Sequence, residues 1–490
     1  MELGKGDVRF QFGDFGGIED AALGLCWSNA QFAAEVTKRA GLLAAAGIRS
    51  GSTLLIAHSG TARFFADLFA AWQIGCTAAC IGEGLTENEL RILADFVRPD
   101  AILIDEAIPA LRADAPILCL ANEGGTAVAA GGEDIDPSRD SSRPALVLFT
   151  SGTTGNPKGV VLSFGAVMTR IALNAQHIGA ACRERTLVAL PTSFGHGLIG
   201  NALTPLLSGG DIVLHPLGLP LSQNLGHIID QYRIGFMSSV PAFWRLALKF
   251  AQAPANSTLR RVHVGSAPLS ADLWTAIAQW SRADVVNCYG VTELANWVAG
   301  AASGAEGVTD GLVGRLWGGE AAILDRSGVR QNAGEGELLV KSPSVMSGYL
   351  HRPDLTAAVF VDGWYRTGDT AHIDTRGVIR LTGRIKDEIN RAGLKIQPAE
   401  VEALLETHPD IHEACVFGAA DAVSGEIVAA AVRLKPGKNV AAAALQDWCR
   451  TRLRREAVPE RWFLVDKLPR NERGKINREA LRRSLMGDTQ

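Results

Sequence analysis

Helical and strand-like patterns alternate along most of this chain, and that rhythm restricts its fold more than any other feature. Residues 29–46 carry helical apolar spacing, 53–57 a short apolar run, 61–74 a second helical pattern and 101–104 another apolar run. The alternation continues through 186–190, 211–214, 236–240 and 285–287. Elements arranged this way build α/β layers, so the sequence predicts a large multi-layered N-terminal domain with mostly parallel sheets. Open sheets of this kind take ligands in crevices at the carboxyl ends of their strands.

Between Gly300 and Asp374 the texture shifts to short strands and glycine-rich turns, as in 334–340, which predicts a β-rich subdomain. A highly charged stretch at 383–391 is followed by a helix signal near Pro398 and apolar runs at 414–417 and 427–434. These predict a small, separate α+β domain at the carboxyl end. The length of 490 residues also requires more than one domain, because a single core stops growing well below that size.

Composition is that of an ordinary globular chain, with 47% hydrophobic and 20% charged residues. The 48 basic and 52 acidic side chains leave a net charge of −4, which argues against nucleic acid or a membrane surface as principal partner. Cys26, Cys76, Cys80, Cys119, Cys182, Cys288, Cys415 and Cys449 are scattered, with no paired C-x-x-C spacing for zinc and no disulfide framework. The amino-terminal residues lack a basic segment followed by an apolar core, and no uncharged apolar stretch reaches the length of a membrane span. The expectation is a cytoplasmic, soluble protein with reduced thiols.

Directly after the apolar run 147–149 comes Thr150-Ser-Gly-Thr-Thr-Gly-Asn-Pro-Lys-Gly159. Gly152, Gly155 and Gly159 let main-chain N–H groups turn toward an anion, Thr150, Ser151, Thr153 and Thr154 add hydroxyl donors, and Lys158 adds a positive charge. The spacing differs from a Walker A loop, yet a polyphosphate suits it. The same residue types also make ordinary surface turns. Farther on, Asn287-Cys-Tyr-Gly-Val-Thr-Glu293 offers Tyr289 as a stacking face, Thr292 as a donor and Glu293 as a ligand for Mg²⁺; a helix capped by Thr292 is the alternative. In Tyr365-Arg-Thr-Gly-Asp369 the carboxylate suits ribose hydroxyls or a simple Asx turn. Near the basic end, Gly474-Lys475 presents one lysine on a loop.

Taken in order, these segments resemble the adenylate-forming superfamily of acyl-CoA synthetases, peptide-synthetase adenylation domains and luciferase. The resemblance spans nearly the whole chain and includes Gly265-Ser-Ala-Pro268, Gly336-Glu-Leu338, Gly348-Tyr349, Gly383-Arg384, Gly393-Leu-Lys-Ile396, Pro398 and Glu400. It implies an ATP- and acid-binding domain over 1–385 and a small mobile domain over 386–490, hinged at Lys386. It implies two half reactions: a carboxylate attacks ATP to give acyl-AMP and pyrophosphate, then a thiol of CoA or of a carrier-protein phosphopantetheine displaces AMP. It also implies roles. Thr150, Ser151, Gly152, Thr153, Thr154 and Lys158 hold phosphates, Glu293 holds Mg²⁺, and Lys475 meets the α-phosphate and the acid. Gly265, Ser266, Ala267, Asn287, Tyr289, Gly290 and Thr292 surround the nucleotide, while Asp369 and Arg384 hold the ribose. Lys475, Thr153 and Glu293 are the expected catalytic groups.

The acid pocket is expected at Phe194, His196, Val240, Val291, Ala295 and Trp297. Amino-acid-activating relatives usually have Phe-Asp where this chain has Phe194-Gly195, and a buried ammonium without that carboxylate is expensive. An α-amino acid is therefore disfavoured, and the bulk of the pocket suggests an apolar or aromatic acid. Phe194 stands where the family keeps an aromatic thought to gate the thiol tunnel; His196 faces the acid or packs. An acyl-CoA is the expected product. Carrier-protein loading and a non-catalytic nucleotide-binding module are the alternatives.

Overall fold

Thr61 accepts a hydrogen bond from the Phe64 amide and so caps the helix Ala62–Gln73, whose Phe64, Phe65, Leu68 and Phe69 are wholly buried. Each such side chain contributes about 1.5–3 kcal/mol on burial, which is why this helix anchors the amino-terminal layer. The computed structural model describes residues 15–82, 85–105, 115–120, 141–150, 158–216, 218–256, 258–305, 307–391, 394–421, 424–470 and 475–487.

Three sheets organise the chain. The first runs, in spatial order, Gly348–Tyr349, Lys158–Ser163, Pro144–Thr150, Thr77–Cys80, Thr53–Ile56, Ala101–Leu103 and Ile117–Leu118. Its interior is parallel, and the antiparallel pairing of Pro144–Thr150 with Lys158–Ser163 sets Thr150 opposite Lys158. Strands such as Thr77–Cys80 are buried along their whole length, as parallel strands covered on both faces must be.

The second sheet has a parallel half built from Ile18–Asp20, Asp211–Leu214, Arg185–Val188, Phe236–Ser239, Arg261–Val264 and Asp284–Val291. At Asn296–Ala302 it turns antiparallel and continues through Leu312–Leu316, Ile379–Arg384, Trp364–Ile373, Gly334–Lys341 and Glu320–Leu324. The β-rich part expected from the sequence thus extends the parallel half through continuous hydrogen bonding.

The third sheet, Leu394–Ile396, Ile389–Arg391, Gly425–Leu434, Ile411–Asp421 and Arg461–Leu464, belongs to the smaller carboxyl-terminal domain. Val401, Leu405, Val416, Val428, Val432 and Leu445 are wholly buried in its own core. Among the described residues no helix is long and apolar enough to cross a membrane.

Candidate active site

Phe236–Ser239, Arg261–Val264 and Asp284–Val291 lie side by side, with Ser239 opposite Val264 and Val264 opposite Asn287. Their carboxyl ends therefore bring Ser238, Ser239, Gly265, Ser266 and the 289–293 segment into one row. Ser266, Ala295 and Asn296 hold φ of 66°, 59° and 104°. Left-handed backbone costs residues other than glycine about 1–3 kcal/mol each and gathers at functional sites. A Cβ on Gly265 would stand 3.0 Å from the Cys288 carbonyl oxygen, a backbone atom held in the sheet, so a side chain here would press the two strands apart.

His196 opens a π-helix, His196–Leu203, in which every residue is buried. Its Nδ1 meets Ser266 Oγ at 2.8 Å and its Nε2 meets Ser238 Oγ at 2.6 Å. Ser238 in turn donates to the His263 carbonyl at 3.2 Å. With that proton committed, Nε2–H donates to Ser238 and Nδ1 accepts from the Ser266 hydroxyl. Burial, and then the charge of Lys475, push the His196 pKa down to about 3, so the ring is neutral, as this chain of bonds requires.

Asp369 is 3% exposed and is held from both sides. Tyr289 Oη donates to its Oδ2 at 2.6 Å, and Arg384 Nε meets its Oδ1 at 2.7 Å. Glu293 Oε1 accepts from the Tyr349 hydroxyl at 2.9 Å, while Lys158 Nζ stands 5.7 Å from the centre of the same Tyr349 ring. Burial first, and then Glu293, push the Tyr349 pKa up, which keeps its hydroxyl a donor. Asn287 is buried and donates its amide to the Leu312 carbonyl at 2.8 Å, bracing the row from behind. Between Tyr289 and Gly290 a bulge shifts the register against Asn296–Ala302, and Thr292 begins a turn of three residues, Thr292–Leu294, rather than capping a helix.

Lys475 comes from the carboxyl-terminal domain, beside a bridge between Arg470 and Ile476. Its charge nevertheless acts on buried His196. The two domains also meet where Arg245 Nη2 lies 3.3 Å from Glu406 Oε2, and where a Cβ on Gly383 would collide with the Gln397 side chain. Lys386 is exposed in the short turn Ile385–Asp387.

Of the expected pocket residues, Phe194 packs edge-on to His196 with ring centres 6.5 Å apart, Ala295 and Trp297 are buried, and Val240 and Val291 are half-buried. Ala267 is half-buried beside Ser266. Ser151, Gly152, Thr153, Thr154 and Gly155 lie outside the described residues, as do Gly393 and Gly474; the strand ending at Thr150 and the one beginning at Lys158 fix where the hydroxyl-rich loop starts and stops. Ser238, His263, Asn296 and Tyr349 join this site without having been assigned a role from sequence. Tyr349 was visible as part of a Gly-Tyr pair; the others give no local signal, because distant strands bring them here.

The model of the AMP-binding enzyme family matches residues 24–350, and that of the AMP-binding enzyme C-terminal domain matches 400–475. The chain is similar to the 2-succinylbenzoate–CoA ligase of Geobacillus kaustophilus, with 31% identity over 449 residues and 90% of each chain covered. It is similar to the oxalate–CoA ligase of Arabidopsis thaliana, with 30% identity over 464 residues and again 90% of each covered. Among solved structures it resembles the o-succinylbenzoate CoA synthetase of Bacillus subtilis in complex with ATP and magnesium, at a TM-score of 0.84, 26% identity and 96% of each chain covered. The row of strand ends, the paired Asp369 and the lysine brought from a second domain thus sit in a chain that belongs to the AMP-binding enzymes, the adenylate-forming ligases that activate an acid as acyl-AMP and pass it to CoA.

Proposed function

We propose that residues 1–385 bind ATP and the acid, and that residues 386–490 swing about Lys386 to present Lys475 for the first half reaction. The observation that carries this reading is the ion pair of Arg245 with Glu406, which holds the domain that carries Lys475 against the domain that carries Asp369 and Glu293. The exposed turn Ile385–Asp387 buries no side chain, so rotation there disturbs little packing.

In this reading Tyr289 flanks adenine, with Gly265, Ser266 and Ala267 on the other side and Asn287, Gly290 and Thr292 supporting the pocket. Each Asp369 oxygen takes one protein donor and keeps a lone pair, which suits two neighbouring ribose hydroxyls, with Arg384 alongside. Thr150 through Thr154 and Lys158 take the β- and γ-phosphates, as supported by the strand pair that closes their loop. Glu293, with Oε1 steadied by Tyr349, holds Mg²⁺. That ion commonly uses one carboxylate plus phosphate oxygens, and the described residues contain no cluster of three or more His, Cys, Asp or Glu to cage it. When bound, the ion neutralises phosphate charge.

The acid's carboxylate oxygen attacks the α-phosphorus; that O–P bond forms as the bond to the bridging oxygen breaks, and pyrophosphate leaves. Charge gathers on the phosphate oxygens, where Lys475 and the hydroxyl-rich loop with Thr153 lower the barrier. In the second half the CoA thiolate attacks the carbonyl carbon, a C–S bond forms, and AMP leaves with the electrons of the broken C–O bond. CoA, rather than a carrier-protein phosphopantetheine, is favoured by the two CoA ligases named above. A cytoplasmic setting fits eight cysteines of which none is in a disulfide.

Incubation with ATP, CoA and a panel of acids tests this: AMP, pyrophosphate and an acyl-CoA are expected. ADP and phosphate as products would overturn it, and mass spectrometry of an offered carrier protein separates that acceptor from CoA.

A further inference from the structure

We propose that Arg170, a wholly buried arginine with no part in either half reaction, is a positioning residue for the metal: through Ser344 it fixes the turn Thr292–Leu294 and so aims the Glu293 carboxylate. The proposal rests on the reading above in which Glu293 holds Mg²⁺.

Arg170 lies on the helix Phe164–Ile178 and is 0% exposed. Its charge meets no carboxylate among the described residues; burial alone moves its pKa, down to about 9, so the guanidinium stays charged at neutral pH. A buried charge without a counter-ion is tolerated only where hydrogen bonds replace its water. Here they do. Nε and Nη2 donate to Ser344 Oγ at 3.0 and 2.7 Å, Nη2 donates also to Ser342 Oγ at 3.1 Å, and Nη1 donates to the Trp317 carbonyl at 3.1 Å. An apolar side chain of similar volume would pack here without the cost of removing a charge from water, so what the guanidinium adds is orientation of its partners.

Ser344 is the partner that matters. Two N–H groups of one guanidinium occupy the lone pairs of its hydroxyl, so its single proton points away from Arg170 and goes to the Leu294 carbonyl at 2.9 Å. Ser342 Oγ, 2.9 Å away, already accepts from Arg170 and from the Ser344 amide, so it does not compete for that proton. Leu294 directly follows Glu293, and two more contacts come from the same segment of chain: the Met346 amide donates to the Glu293 carbonyl at 2.7 Å, and the Tyr349 hydroxyl donates to Glu293 Oε1 at 2.9 Å. Residues 344–349 thus grip the turn at three points, and Arg170 ties the first of them to a helix. The turn needs such a grip, because Ala295 and Asn296 follow it with φ of 59° and 104°, left-handed backbone that persists only where its surroundings enforce it. Freed at the Leu294 carbonyl, the peptide to Ala295 can rotate toward ordinary backbone, and the Glu293 carboxylate shifts with it. A metal ligand depends on partners of this kind for its aim.

The test compares calorimetric titrations of ATP into the full chain, with excess Mg²⁺ and with EDTA, for wild type, Ser344→Ala, Arg170→Met, Glu293→Gln and the double variant Ser344→Ala with Glu293→Gln. Thermal unfolding checks that each is folded. Ser344→Ala and Arg170→Met should each weaken Mg·ATP binding by about 10- to 100-fold, the usual effect of losing a partner behind a metal ligand, while metal-free ATP binds as it does to wild type. Glu293→Gln should show the same selective loss, and adding Ser344→Ala to it should cost nothing further. A merely structural role predicts equal loss with and without the metal. That equal loss, a folded Ser344→Ala or Arg170→Met that binds Mg·ATP as wild type does, or a full further loss in the double variant would overturn the proposal and leave the metal assignment standing. Should Arg170→Met fail to fold, Arg170→Lys, which keeps the charge and loses the planar fork, takes its place with the same expectation. A Glu293→Gln variant that binds Mg·ATP as wild type does would instead overturn the assignment of the metal to Glu293, and the proposal with it.

Discussion

Tyr289 donates its hydroxyl to Asp369 Oδ2 at 2.6 Å, joining positions 80 residues apart in the chain. With Arg384 on the other oxygen, the carboxylate is fixed at a place that solvent scarcely reaches. Burial first, and then the Asp369 charge, push the Tyr289 pKa well above its ordinary value, so this hydroxyl stays a donor throughout the working pH range. The stacking face and the ribose partner of the proposed nucleotide site are therefore one rigid unit.

Tyr289→Phe keeps the aromatic face and removes the donor. A hydrogen bond to a charged group is worth about 1.5–3 kcal/mol, so ATP affinity should fall about 10- to 150-fold, with the KM for the acid little changed. Calorimetric titration with ATP checks this. Unaltered affinity would mean that the carboxylate needs no such tether.

Lys475→Ala should lower the rate of adenylate formation by about 10²- to 10³-fold, the usual cost of removing one group aimed at developing charge. The second half reaction, started from supplied acyl-AMP, should proceed at close to the wild-type rate. Measuring the two steps separately decides the matter, because equal loss in both would assign the lysine a structural role.

Elements whose pattern is local were legible in the sequence. The run 211–214 became the strand Asp211–Leu214, and the helical pattern at 61–74 became Ala62–Gln73, with Thr61 as its cap. The run at 285–287 instead became Asp284–Val291, because Tyr289, Gly290 and Val291 pair across a bulge with a strand that sequence spacing does not reveal. His196 was visible only as a histidine that either faced the acid or packed. Its partners Ser238 and Ser266 arrive from two other strands, and the π-helix that aims it carries no periodic signature. Glu293 could be proposed for a metal from its motif, but the Tyr349 hydroxyl that orients it lies 56 residues away.

Arg245 and Glu406 link the two domains in the arrangement in which the charge of Lys475 is felt at His196. Both side chains are partly exposed, at 31% and 26%, so the pair is worth at most about 1 kcal/mol. Arg245→Glu should slow adenylate formation by about 2- to 5-fold and leave the thiol step from supplied acyl-AMP unslowed. Adding Glu406→Arg should restore the first rate. A double variant no faster than the single one would show that the contact does not favour this arrangement.

The neutral His196 makes stability depend on pH in a definite direction. Its pKa is about 3 in the fold, depressed by burial and then by Lys475, against an ordinary value of 6.5. Above pH 6.5 the ring is neutral both folded and unfolded and adds no pH dependence. As pH falls below that value the unfolded chain takes up a proton that the fold refuses, so stability is lost progressively until the folded pKa is reached. At pH 5 the loss from this one residue is about 2 kcal/mol. His196→Gln abolishes that share while His263, also held far below its ordinary pKa by burial, keeps its own. Urea melts should therefore show the stability gap between wild type and variant narrowing by about 2 kcal/mol from pH 7 to pH 5. A gap that stays constant would mean that His196 takes up its proton within the folded protein, and that its bonds to Ser238 and Ser266 do not require the neutral ring.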